Sequence, residues 1–91
     1  MSQTIVEQAD KIKMSELELQ CKRLAHDVSS IQDRIKDLEW KMSMMAEEDK
    51  VFVELASERQ TALDKLRRTR KELLDVEEEI IKIKSRSKAG S

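Results

Sequence analysis

Few side chains in this sequence are placed to do chemistry. A nucleophile needs a base within reach, and a metal site needs several thiol, imidazole or carboxylate ligands converging on one point. Cys21 and His26 are the only thiol and the only imidazole. On a helix they fall on different faces, Cys21 on an apolar stripe and His26 outside it. A Gly-rich phosphate loop is excluded, because the single glycine is Gly90 and proline is absent. No catalytic, cofactor-binding or metal-ligating residue is therefore assigned, no cofactor is expected, and the chain is not expected to be an enzyme. The basic run Lys65-Leu-Arg-Arg-Thr-Arg-Lys71 has the composition of a phosphate-binding strip or a nuclear-import signal. The acidic run Asp75 to Glu79 follows directly and largely cancels its field, so nucleic acid is not the expected partner.

The remaining chemistry is that of association. Trp40 stands on the side of its helix away from the main apolar stripe. With Met44, Val51 and Leu55 it forms a second stripe at helical spacing, the expected docking site for an additional helix or protein partner. Arg59 interrupts an otherwise apolar row, where a charge costs stability but penalises other registers unless its stem lets the guanidinium reach water. Cys21, on the apolar stripe, reads as a small buried residue and not as a redox device.

The elements that carry these residues are helical. The chain has 91 residues, of which 41% are charged and 2% aromatic, and it lacks the turn residues of an ordinary globular domain. Charges of both signs are interspersed to a net −1 and the apolar residues are regularly spaced, which sets the chain apart from disordered sequences. Two capping boxes, Thr4-Ile-Val-Glu7 and Ser15-Glu-Leu-Glu18, offer helix starts. From Met14, the row Met14, Leu17, Cys21, Leu24, Val28, Ile31, Ile35, Leu38, Met42 and Met45 alternates steps of three and four. This is the a/d seam of a coiled coil. The sublattice through Leu38 and Met45 continues at sevenfold spacing through Phe52, Arg59, Leu66, Leu73 and Ile80, while its companion row changes sides and becomes Leu55, Ala62, Thr69, Val76 and Ile83.

These patterns predict an all-α chain. A short lead-in helix or frayed start covers residues 1–13, a long and mostly continuous coiled-coil helix with a seam switch near residues 45–55 covers 14–84, and a disordered basic tail covers 85–91. The helix would be about 100 Å or more long at 1.5 Å per residue, and with one apolar stripe it would need a partner. The expected partners are further copies of the chain, a parallel dimer in the first half with a tetramer or hetero-bundle through the centre, and a helical protein. A helical hairpin turning at Ala46 to Lys50 is the lesser alternative, disfavoured by the missing turn residues and by the preserved sevenfold phase. In the second half a parallel pair would oppose Lys65 to Arg70 and Glu72 to Glu77, which leaves an antiparallel partner open there.

The expected function is that of a non-enzymatic oligomerisation or scaffold module that recruits a protein. The runners-up are a membrane-fusion bundle strand of the SNARE type, opposed by Asp49, Arg70 and Glu77 at positions such a bundle fills with apolar residues, and a nucleic-acid-binding helical dimer. One cysteine, no signal peptide and no long apolar run point to the cytoplasm, with the nucleus as alternative, and to no membrane insertion.

Overall fold

The computed structural model describes the backbone from Ser2 to Ala89 and the side chains of residues 8–86. Met1, Gly90 and Ser91, the extreme ends of the expected lead-in and tail, lie outside the described residues. The chain is all-α, with α1 spanning Ser2–Ser43 and α2 spanning Lys50–Ala89. No break occurs near Lys13 to Ser15, and residues 85–89 continue α2. Neither helix contains Gly or Pro, so nothing in either sequence interrupts the ladder of backbone hydrogen bonds.

The arrangement is the hairpin, not the helix running unbroken through residues 45–55. The local cause is the stretch from Ser43 to Asp49. At the end of α1 the amides of Met44 and Met45 donate to the carbonyls of Lys41 and Met42, at 3.2 and 3.1 Å, and this tightens the last turn. The Ser43 hydroxyl donates to the Trp40 carbonyl at 2.6 Å, satisfying one of the acceptors a helix end leaves free. The Asp49 amide then donates to the Ala46 carbonyl at 3.1 Å, closing a turn. Asp49 starts α2: its Oδ1 accepts from the Val51 amide at 3.0 Å and its carbonyl accepts the helical bond from Val53 at 3.3 Å, the geometry of an N-cap. No described residue has positive φ, so the reversal needs no glycine. That is why the missing turn residues do not prevent it.

The two helices pack antiparallel. Leu17 and Leu24 of α1 share a cluster with Val76 and Ile83 of α2, joined by Met14, Cys21, Leu73 and Ile80. Nearer the turn, Ile31 and Ile35 cluster with Ala62 and Leu66, flanked by Val28 and Leu63. A single register places every seam residue in a layer with one on the other helix. From the open end these are Met14 with Ile83, Leu17 with Ile80, Cys21 with Val76, Leu24 with Leu73 and Val28 with Thr69. Towards the turn follow Ile31 with Leu66, Ile35 with Ala62, Leu38 with Arg59, Met42 with Leu55, and Met45 with Phe52. All of these side chains are buried or half-buried. Thr69 is accommodated because its hydroxyl donates to the Lys65 carbonyl at 2.8 Å, leaving its methyl for the seam.

Charge follows the same register. In an antiparallel pair, the g positions of the two helices flank each other. With the seam as a and d, they bring Arg34 to Glu58, where Nη2 and Oε2 are 3.9 Å apart. The same alignment sets Lys13 opposite Glu79, which line one groove, and Asp27 opposite Lys65. Exposed pairs of this kind contribute only a few tenths of a kcal/mol each, but a parallel second half would instead have brought like charges together. Lys41, in the last turn of α1, also pairs with Asp37 at 3.1 Å.

Candidate association site

A rod built from two helices cannot enclose its core. The hairpin measures 69 × 16 × 14 Å, and its most deeply buried apolar side chain, Leu38, still keeps 4% of its surface in water. The chain exposes 7512 Å², whereas a compact protein of its mass would expose roughly 5,500 Å². The surplus, on the order of 2,000 Å², exceeds what both partners together bury in a standard protein–protein interface, about 1,600 Å².

The predicted seam residues Leu17, Cys21, Leu24, Val28, Ile31, Ile35, Leu38, Met42, Met45, Phe52, Leu66, Leu73 and Ile80 all face the other helix of the same chain. The docking quartet divides. Trp40 and Met44 are 62% and 69% exposed at the turn end, and Val51 is exposed beside them in the first turn of α2. Leu55 instead points inward and is half-buried, in the layer of Met42. The division follows from the turn: only on a continuous helix would Leu55 share a face with Trp40. Arg59 is half-buried, at the level of Leu38.

Five further apolar residues stand exposed: Ile12, Leu19, Val53, Leu74 and Ile81. A sevenfold repeat marks most of them in the sequence. Ile12 and Leu19 occupy the outermost f row of α1, the row of Trp40, and Val53, Leu74 and Ile81 share the b row of α2. Counting every seventh residue away from the seam, as well as along it, finds them.

Other candidates gather no site. Cys21 is a free, half-buried thiol packed among apolar neighbours, and His26 is exposed. Among the described residues, no group of three or more His, Cys, Asp or Glu side chains could hold a metal ion, and no helix is long and apolar enough to cross a membrane. The basic side chains Lys65, Arg67, Arg68, Arg70 and Lys71 are all exposed but occupy different heptad positions. They spread around the circumference of α2 and form no single strip for a phosphate backbone. No protein-family model matches the chain, and no curated protein or solved structure matches it significantly.

Proposed function

We propose that this chain is a non-enzymatic association module of the cytoplasm: a helical hairpin that joins with further copies of itself and presents its turn end to a helical protein partner. The observation that carries this reading is the exposed apolar group at the turn, Trp40, Met44 and Val51. Large apolar side chains grouped at one end of a highly charged rod are costly in water and characteristic of contact surfaces. A tryptophan there can supply much of the binding energy of an interface. The surplus of exposed surface supports the self-association half of the reading.

Trp40 is the only tryptophan, so its emission reports on its own burial. On adding a partner or raising the chain concentration, the emission maximum should move to shorter wavelength. Trp40→Ala should weaken partner capture about tenfold or more, equivalent to ~1.4 kcal/mol, with unchanged helicity. Emission that stays at the solvent-exposed position in every complex would remove the turn end from the proposal.

A further inference from the structure

The two long flanks of the hairpin are chemically unlike. On the flank where g positions meet and c positions border them, the half nearer the turn carries eight charged residues, Asp27, Arg34, Asp37 and Lys41 on α1 and Glu54, Glu58, Lys65 and Arg68 on α2, against four uncharged ones, Ser30, Met44, Val51 and Thr61. Across that groove Arg34 and Glu58 pair at 3.9 Å. The opposite flank, where e positions meet and b positions border them, carries in the same half Ser29, Gln32 and Ser43 on α1 and Ala56, Gln60 and Leu63 on α2. Its charged residues there are Lys36, Glu39, Arg67 and, level with Asp27, Arg70. Gln32, Ala56 and Leu63 are already half-buried there, and Leu63 leans on the Ile31 cluster.

We infer that a second copy of this chain covers this sparsely charged flank, making a four-helix bundle in which each hairpin supplies two helices. The inference rests on the self-association half of the proposed function and names its surface. Three observations favour a second copy over a different partner. A two-fold contact requires one patch to be complementary to itself. This flank carries both halves of such a fit: the 62% exposed Val53 projects as a knob beside half-buried Leu63, and Ser29, Ser43 and Ala56 leave shallow positions that can receive it. The flank also presents charges of both signs in small number, so it has no field to select an oppositely charged partner. Finally, the area is of the right order: half the 69 Å length times the 16 Å width projects to roughly 550 Å², against the ~800 Å² per partner of a standard interface.

The test uses the full chain and neighbouring residues on opposite flanks. Ser29→Arg and Ala56→Arg place a bulky charge on the sparsely charged flank, while Ser30→Arg and Thr61→Arg place the same charge on the other. Sedimentation equilibrium of the wild type should give twice the 10.6 kDa chain mass. Ser29→Arg and Ala56→Arg should each raise the dimer dissociation constant about tenfold or more. The two controls should change it by less than about twofold, with helicity retained in all four. A dimer that survives both flank variants, or that the controls disrupt equally, overturns the assignment of the surface while self-association stands. A wild type that stays monomeric at high micromolar concentration overturns this inference and self-association together, leaving only the turn end of the proposed function. If one flank variant loses helicity, the other carries the comparison.

Discussion

Asp49 is the residue on which the reversal of the chain most directly depends. It accepts the Val51 amide at 3.0 Å through its side chain and begins α2 with its carbonyl. Replacing it with alanine removes the side-chain acceptor and leaves the Val51 amide to water, at a cost of about 1 kcal/mol within a usual range of 0.5–2. Loss of the negative charge at the helix start adds a few tenths more. Since a helical domain of this length unfolds with an entropy near 2 cal/mol/K per residue, 1 kcal/mol corresponds to a fall in Tm of about 5 °C. Thermal and urea unfolding followed by circular dichroism, at one fixed chain concentration, measure both quantities. Asp49→Asn separates the cap from the charge, because it keeps the acceptor and should recover most of the loss. An Asp49→Ala variant within about 0.3 kcal/mol of wild type, or an Asn variant as unstable as the Ala one, would refute this account of how α2 begins.

Two further outcomes test the register. Leu24→Ala should destabilise the chain by about 2–3 kcal/mol, the lower part of the core range because the seam stays in touch with water, whereas Leu19→Ala, at a side chain 52% exposed, should fall within about 0.5 kcal/mol of wild type; equal effects in denaturant titrations would place the seam wrongly. Cys21 and Val76 share one cluster from opposite helices, so oxidising a Val76→Cys variant should give a disulfide within one chain, seen as a faster-migrating monomer on a non-reducing gel; formation of crosslinked dimers alone would point to helices paired between chains.

The rows that form the core were legible in the sequence. The alternation from Met14 to Met45 marks the buried face of α1, and the sublattice through Phe52 and Ile80 with its companions marks that of α2. The direction of pairing was harder, because a heptad pattern looks the same whichever way the partner runs. The sevenfold step from Met45 to Phe52 resembled an unbroken helix, yet it spans the turn. Read outward from that turn, both halves step alike, by three, four and three: Met45, Met42, Leu38, Ile35 in one direction and Phe52, Leu55, Arg59, Ala62 in the other. The switch of the companion row is that mirror relation, and Lys13 with Glu79, Asp27 with Lys65 and Arg34 with Glu58 repeat it in charge. At the candidate site, the exposure of Trp40 followed from its f position. The inward turn of Leu55 did not, because it depends on α2 restarting its phase at the Asp49 cap.

The register that sets Met45 beside Phe52 and Met14 beside Ile83 also sets the order in which the molecule can assemble. The first layer closes a loop of a few residues, and each later layer closes on a loop already bridged, so the entropy of ring closure is met once, at the turn, and in small increments thereafter. Contacts made in that order are local when they form, the condition under which helical chains fold in microseconds to milliseconds. A nascent chain that has Asp49 and the first turns of α2 in place has its starting point, and the remainder closes like a zip fastener towards the two ends.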